Sequence, residues 1–406
     1  MKRHKRWVVA YALTMAAVGA AVLARQGGPS DPAEFRERAR KFTEQLESKG
    51  LAEPFKGITT DGRIVEGLFP IRSTGVSTEP VRRAAAGFIS TLTPEQRKVT
   101  VFPVDNDEWR KWANQHVYIR QGLPFDAMTT GQRDAALGLL GASLSARGLT
   151  LTRDIMRLNH TLAELNGNNF TEYGEGKYYL TIMGDPSPDA PWGWQLDGHH
   201  LAVNYFVLRD QVVMTPAFWG SEPTVARTGK YAGTAVLVEE QQRGLALIRA
   251  LSDEQRRQAI VEVRKTGNNI VAQAFADNVV LDFTGVRAST FTEAQRRRLL
   301  DLIGVYVSNM REGHARVRMA EVADHLDRTY FAWIGGTADE DVFYYRIQSP
   351  VILIEFDHQR PIGLRHVLPA DVPSREHVHS VVRTPNGNDY GKDLLRQHYT
   401  QQRHAH

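Results

Sequence analysis

The stretch Val342-Phe343-Tyr344-Tyr345-Arg346-Ile347-Gln348-Ser349-Pro350-Val351-Ile352-Leu353-Ile354-Glu355-Phe356-Asp357 determines which kind of sheet this chain can form. Its β-branched and aromatic runs predict two strands, Val342–Gln348 and Val351–Asp357, with a Ser349-Pro350 reversal between them. A reversal this short can join only antiparallel strands, because parallel neighbours need a long crossover connection. The stretch therefore predicts an antiparallel hairpin.

Further apolar runs extend this prediction in both directions along the chain. Five of them predict strands: Tyr178–Met183, Trp194–Leu208, Val212–Trp219, Tyr330–Ile334 and Val378–Val382. The second and third are separated by an Arg209-Asp210-Gln211 reversal, which again requires antiparallel pairing. The strands form two groups, one near the middle of the chain and one near its end.

Helices are predicted before, between and after these groups. Apolar residues recur at helical spacing from Pro32 to Gly50. Four other helix starts place a Thr or Ser N-cap three residues before a Gln, the reciprocal capping box: Thr93 and Gln96, Thr129 and Gln132, Ser252 and Gln255, Thr292 and Gln295. Their irregular spacing favours repeated use of one capping solution over an internal repeat. The pattern predicts an α+β fold with antiparallel strands flanked by several helices, in a single large domain from 33 to 400.

The N-terminal segment has the composition of a targeting signal. Lys2, Arg3, Lys5 and Arg6 supply the whole formal charge of +4, and an apolar run from Trp7 to Ala24 follows them. Residues 1–24 therefore predict a cleaved signal peptide or an uncleaved N-terminal membrane anchor, and residues 25–32 a linker. Export to the extracellular space, periplasm or cell envelope is expected in both cases. The rest of the chain has almost no net charge, which excludes nucleic acid as an expected partner, and residues 401–406 predict a frayed tail.

The chain contains no cysteine, so disulfides, thiolate metal sites and a cysteine nucleophile are all excluded. It also lacks His-Glu-x-x-His, Gly-x-Ser-x-Gly and Ser-x-x-Lys, the motifs of zincin proteases and of the simplest serine hydrolases. A cupin would carry Glu four residues after the second histidine of its His-x-His, and position 383 is Arg. Nitrogen and oxygen side chains are the strong metal ligands that remain.

The first candidate ligands are His377 and His379, separated by one residue in a β-branched run. Because side chains alternate along a strand, both imidazoles share one face. The second candidates are His199 and His200, adjacent residues that a strand would send to opposite faces, so that only one of them could reach the same site. The pattern leaves the choice between these two open.

Carboxylates appear on the second predicted strand of the hairpin. Glu355 and Asp357 share a face by the same period of two, and a buried carboxylate is costly unless it has a partner. Glu355 with His377, His379 and either His199 or His200 would form a site for a divalent transition metal, with zinc favoured and copper or iron as alternatives. Solvent-facing His-x-His strands also occur, so the motif alone does not establish a metal site.

Other residues are candidates for the chemistry around such a metal. Asp357 or Asp197 could act as general base or orient a ligand. Arg383 follows His377 and His379 on the same strand, where a guanidinium would suit an anionic substrate; a cross-strand ion pair is the alternative. The leading hypothesis is an exported metal-dependent hydrolase that uses a metal-bound water on a small-molecule, peptide or sugar substrate.

Two alternatives remain open. The same ligands could hold copper or iron for an oxidative reaction. The protein could instead be a non-catalytic cell-envelope binding protein, with an aromatic region that grips a sugar or peptide: Trp192, Trp194, Tyr205 and Trp219. If the N-terminal segment stays uncleaved, it supplies the only expected membrane contact.

Several segments together resemble the domain-of-unknown-function family 3500. They are Tyr345–Asp357, His377–Arg383, Trp192–Leu201 and Asp389–Tyr399, and they occur in the family's order. Ser349 and His358 depart from the Gly and Asn expected there, which makes His358 a weaker ligand candidate. The resemblance implies that the Gly-His-His, Glu-x-Asp and His-x-His segments belong to one module, and it carries no known reaction.

Overall fold

The structure is a computed structural model that describes residues 31–403. The predicted signal segment, residues 25–30 of the linker and residues 404–406 of the tail lie outside the described residues. Between 31 and 403, no helix combines the length and the apolar character that crossing a membrane requires. The first helix spans Pro32–Gly50, the range that the apolar spacing predicts.

The described part of the chain contains ten α-helices and thirteen strands, joined by loops and short 3-10 helices. The helices are α1 Pro32–Gly50, α2 Glu79–Ser90, α3 Pro94–Thr100, α4 Thr130–Ser143, α5 Ala146–Leu165, α6 Val238–Ala250, α7 Asp253–Ala259, α8 Glu293–Val307, α9 Glu312–Asp324 and α10 Lys392–Arg403. The strands are β1 Val101–Phe102, β2 Leu123–Pro124, β3 Tyr178–Met183, β4 Trp192–Gly198, β5 Leu201–Leu208, β6 Gln211–Val213, β7 Ala217–Ser221, β8 Ile260–Glu262, β9 Val286–Arg287, β10 Tyr330–Gly335, β11 Phe343–Gln348, β12 Leu353–His358 and β13 Val378–Arg383.

All thirteen strands belong to one open sheet. Its main order is β1-β3-β4-β5-β7-β13-β12-β11-β10-β8, with β2 beside β3, β6 beside β5 and β9 beside β10. The pairs β1–β3 and β8–β10 are parallel, and every other pair is antiparallel. The predicted α+β fold with antiparallel pairing is confirmed. The two predicted strand groups meet where β7 pairs with β13.

The strand order reads the same from both edges toward the β7–β13 pair. The half from 79 to 221 and the half from 238 to 383 contain the same series of elements: two helices, a short edge strand in a parallel pair, a second short strand, two more helices and an antiparallel run. Equivalent aromatic pairs stack in both halves, Trp194 on Tyr205 with ring centroids 5.2 Å apart and Tyr345 on Phe356 at 5.1 Å. The fold is therefore a structural repeat about the β7–β13 pair.

The four predicted capping boxes all form, and they occupy equivalent places in the two halves. In the first half the side chains of Gln96 and Gln132 hydrogen-bond to each other over 2.7 Å. In the second half Gln255 and Gln295 do the same over 2.8 Å. The four boxes therefore belong to an internal structural repeat. The expectation that they reflect only repeated use of one capping solution is wrong. The unequal insertions between equivalent elements hide the repeat in the sequence.

Each face of the sheet has its own apolar core. One face packs against α2, α4, α5, α6 and α8, and it buries Trp192, Trp194, Tyr205 and Trp219 at 1 % exposure or less. The opposite face carries Phe218 and packs beneath α10 and several loops. The aromatic residues proposed to grip a sugar or peptide are thus core residues, so the binding-protein alternative loses the surface on which it depended.

Candidate metal centre

His199 and His200 form the reversal between β4 and β5. Gly198 pairs with Leu201, so the two histidines are a two-residue turn, and His200 has the left-handed φ of 61°. A Cβ on Gly198 would lie 2.2 Å from the Tyr178 ring, so the backbone passes too close to that ring for any other residue. The single strand predicted for Trp194–Leu208 is corrected to two. The period-two rule, which assigned the histidines to opposite faces, does not apply inside a turn.

His377 directly precedes β13, and His379 is the second residue of that strand. His379 is opposite Asp357 on β12 and Gly220 on β7. Because Gly220 has no side chain, the His379 ring can lie over it, and a Cβ there would be 3.2 Å from His379 Cδ2. The ring also packs edge-on against Phe218, at 5.0 Å between centroids. The strand and its glycine neighbour therefore fix the direction of this imidazole.

Three imidazoles converge where the two halves of the sheet meet. His377 Nε2 lies 3.1 Å from His200 Nε2 and 3.0 Å from His379 Nε2, and all three candidate ligand atoms lie within 4.8 Å of one another. All three residues are buried: His200 is 5 % exposed, His377 3 % and His379 6 %. A zinc–nitrogen distance of about 2.0–2.1 Å places two nitrogens of a tetrahedral site about 3.3 Å apart. The two separations from His377 Nε2 are close to that value.

The electrostatic setting leaves two of these imidazoles, His200 and His379, uncharged. Burial, and then the neighbouring histidines, lower the pKa of His200 and of His379 well below the ordinary value, so both rings are neutral near pH 7. His377 Nδ1 lies 2.7 Å from the carbonyl oxygen of Arg360. Since a carbonyl only accepts, Nδ1 carries the proton and Nε2 presents its lone pair to the cluster. The Nε2 atoms of His200 and His379 lie within hydrogen-bond distance of that lone pair, so each can either donate a proton to it or share a cation with it.

His199 lies beside the cluster without joining it. Its Nδ1 is 2.8 Å from Asn159 Oδ1, and its ring stacks on His200 with centroids 4.0 Å apart. Tyr173 and His116 pack against its other sides, at 5.6 and 5.1 Å. Of the two alternatives left open by the sequence, the geometry places His200 in the cluster and His199 in the layer that supports it.

Glu355 and Asp357 share a face as predicted, and both bind the segment 265–272 that crosses it. Glu355 accepts hydrogen bonds from the backbone N–H groups of Val271 and Ala272 and from the Tyr344 hydroxyl at 2.6 Å. Asp357 pairs with the buried Lys265 at 2.7 Å and accepts two backbone N–H groups at 2.7 and 3.0 Å. Burial raises the pKa of both carboxyls. The structure does not bring Glu355 into the histidine cluster.

The other two candidates for catalysis also have ionic partners. Asp197 lies 3.0 Å from the Arg120 guanidinium, and burial raises its pKa to about 7 although Arg120 opposes the shift. Arg383 pairs with Asp277 and Asp389 at 2.7 Å each, and all three are at most 2 % exposed. Arg383 thus forms an ion pair as in the alternative, but its partners lie outside the sheet instead of on a neighbouring strand.

One residue near the cluster was not predicted. Glu222 follows β7 directly, and its Oε2 lies 3.7 Å from His377 Nδ1. Because Ser221 pairs with Val378, the next residues outward, Glu222 and His377, adjoin each other at the same end of the sheet. The sequence Ser221-Glu222-Pro223 resembles an ordinary strand end. No local pattern connects it to a histidine far along the chain.

Fold and site together define an α+β protein with a buried three-histidine cluster at the junction of two similar halves. The profile of the family described as Protein of unknown function (DUF3500) matches residues 74–392. The chain belongs to this family, as its motifs predict, and the match covers both halves of the sheet. Neither the curated proteins nor the solved structures contain a match to this chain.

Replacing Glu355 with glutamine distinguishes the metal-ligand role that the sequence predicts from the loop-binding role that the structure shows. Because Glu355 binds the segment 265–272 and not the cluster, Glu355→Gln is expected to leave metal content unchanged. It should lower the free energy of unfolding by about 1–3 kcal/mol, since the new amide N–H₂ faces backbone donors. Metal analysis and urea unfolding measure the two effects. Loss of metal from a variant that remains folded would restore Glu355 as a ligand.

Proposed function

We propose that this protein is an exported metal-dependent hydrolase whose metal is held by His200, His377 and His379. The observation that carries the proposal is the convergence of the three side chains, with adjacent Nε2 atoms 3.0–3.1 Å apart. Export rests on the basic and apolar segment from Lys2 to Ala24. Among the residues described, no carboxylate belongs to the ligand group, so the proposed site is an all-imidazole one.

The ligand set favours zinc, and three protein ligands would leave one coordination position for a substrate or water. Three protein ligands with an open fourth position are typical of catalytic zinc, whereas structural zinc is closed by four protein ligands. If zinc is the metal, His200, His377 and His379 would hold it, and the ion would supply Lewis-acid activation of a nucleophile at neutral pH. His200 and His379, kept neutral by burial, need not lose a proton before they bind.

The general-base role is left without an assigned residue. Asp357 and Asp197, the sequence-based candidates, are each held in an ion pair and bonded to backbone N–H groups. Arg383 is likewise fully engaged with two carboxylates. We propose therefore that these three residues stabilise the loops around the centre, and that the imidazoles contact the metal directly.

The test begins with protein purified without a histidine tag. About one zinc ion per chain is expected by mass spectrometry, after reconstitution if the metal is lost on purification. The zinc form is then assayed for turnover of esters, amides, glycosides and phosphoesters, with the metal-free protein as control. Turnover restored by zinc supports the hydrolase.

Two results would contradict the proposal at different levels. Binding of copper or iron in place of zinc, with oxygen consumption and no hydrolysis, would replace the hydrolase by an oxidative enzyme. Absence of any stoichiometric metal after reconstitution would remove the metal centre itself.

A further inference from the structure

Glu222 lies between the histidine cluster and the loop that supports it. It is 3 % exposed, and both of its oxygens accept backbone hydrogen bonds: from Ile362 at 2.9 Å, Gly363 at 2.8 Å and Leu364 at 3.0 Å. Three successive N–H groups thus converge on one carboxylate. Such an arrangement fixes the path of the loop from 360 to 364 relative to the end of β7.

This loop in turn fixes His377. The carbonyl oxygen of Arg360, at the start of the loop, accepts a hydrogen bond from His377 Nδ1–H at 2.7 Å. The loop is tied to the same strand once more, because Gln359 donates its N–H to the His377 carbonyl at 2.7 Å. The tautomer of His377, and with it the lone pair on Nε2, therefore depends on a loop conformation that Glu222 holds.

Glu222 also lies close to the ring itself. Its Oε2 is 3.7 Å from His377 Nδ1, just beyond hydrogen-bond distance. Imidazole ligands bring no negative charge to a dication. Among the groups in contact with His377, the buried Glu222 is the acidic one that can compensate for that charge. Carboxylates that face the far nitrogen of a ligating histidine orient the ring and raise its basicity.

We propose that Glu222 is a positioning residue of the metal centre, which orients His377 through the Arg360 carbonyl and offsets the charge of the metal. This inference rests on the three-histidine centre proposed above. It assigns Glu222 a role in metal affinity and ligand geometry, with no contact to the metal. The role joins the two halves of the fold, because Glu222 directly follows β7, the last strand of the first half, and His377 directly precedes β13, the last strand of the second.

The test compares Glu222→Gln with the wild type in full-length protein. Glutamine keeps the size of the side chain but removes the charge and one acceptor. Zinc affinity, measured by competition with a chromophoric chelator, should fall about 10–100-fold. The visible absorption of the cobalt(II)-substituted protein should also change, since cobalt reports ligand geometry. Loss of stability alone would not alter the cobalt spectrum of the molecules that remain folded.

Two further variants make the comparison specific. Glu222→Asp keeps the charge but shortens its reach, so its affinity should lie between those of the wild type and Glu222→Gln; it also serves if Glu222→Gln does not fold. Asp210→Asn is the matched control, because Asp210 also accepts backbone N–H groups from a loop, those of Thr74 and Gly75 at 2.9 Å each. This variant should leave zinc affinity and the cobalt spectrum unchanged.

The outcomes separate this inference from the proposed function. If the wild type binds zinc while Glu222→Gln and Glu222→Asp bind it with unchanged affinity and an unchanged cobalt spectrum, the role of Glu222 is refuted and the metal centre stands. If the wild type binds no metal, the centre and the role of Glu222 both fail.

Discussion

Replacing His377 and His379 together with alanine is expected to abolish stoichiometric zinc binding. Each ligand of a structural zinc site accounts for about 3 kcal/mol of a total near 10–16 kcal/mol, which corresponds to roughly 100-fold in affinity per ligand. The double variant should therefore bind zinc about four orders of magnitude more weakly. His200 alone cannot hold the ion against buffer and water. Chelator competition and metal analysis after dialysis measure the loss.

The control for this variant removes two histidines that lie outside the cluster. His325 bonds to a backbone carbonyl within its own helix end, and His366 is exposed beside Leu165. His325→Ala/His366→Ala should keep the full metal content. Equal zinc binding by the two double variants would show that the convergence of His200, His377 and His379 has no function in metal binding.

Replacing Arg383 with methionine is expected to lower the free energy of unfolding by about 3–5 kcal/mol, the usual cost of removing one partner from a buried ion pair. Arg383 lies between Asp277 and Asp389, and Arg110 pairs with Asp277 from the other side at 2.9 Å. All four side chains are at most 2 % exposed. Burial disfavours the guanidinium charge, but Asp389 and Asp277 outweigh that cost and raise the pKa of Arg383 above its ordinary value.

Methionine fills a similar volume, so the effect of Arg383→Met measures mainly the loss of charge and hydrogen bonds. Urea unfolding followed by circular dichroism gives the free energy. Arg346→Met is the matched control, because Arg346 also lies on a strand of the sheet but is partly exposed and donates to a single carbonyl. Its effect should stay below about 1 kcal/mol. A similar small effect for Arg383→Met would contradict a structural role for the network.

Features set by neighbouring residues were predictable. The four capping boxes join residues three positions apart, and all four formed where the Ser/Thr and Gln pattern placed them. The shared face of His377 and His379 follows from the alternation of side chains along a strand, and so does that of Glu355 and Asp357. The antiparallel hairpin around Ser349-Pro350 follows from the shortness of its reversal.

Features that depend on distant pairing were not predictable in the same way. The ladder puts His379 opposite Asp357, yet Asp357 bonds to Lys265 and the segment that follows it. A loop has no fixed register with the strand that it covers. The alternation of side chains along the strand therefore cannot predict which loop residue will contact which strand residue. The same limit explains why Glu355 was expected in the metal site. The sequence predicts which face of the sheet Glu355 occupies, but not that the backbone N–H groups of Val271 and Ala272, in the loop over that face, bind its carboxylate.

The sequence by itself determined the α+β class, the antiparallel pairing and the pair of imidazoles at the start of the last strand, one just before β13 and one on it, because these depend on interactions between residues close along the chain. Only the tertiary structure decided that His200, 177 residues before His377, completes the cluster, and that Glu222 supports it. The physical reason is the register of β7 against β13. That single antiparallel pair joins the two halves of the sheet and brings their turns, strand ends and charges to one place.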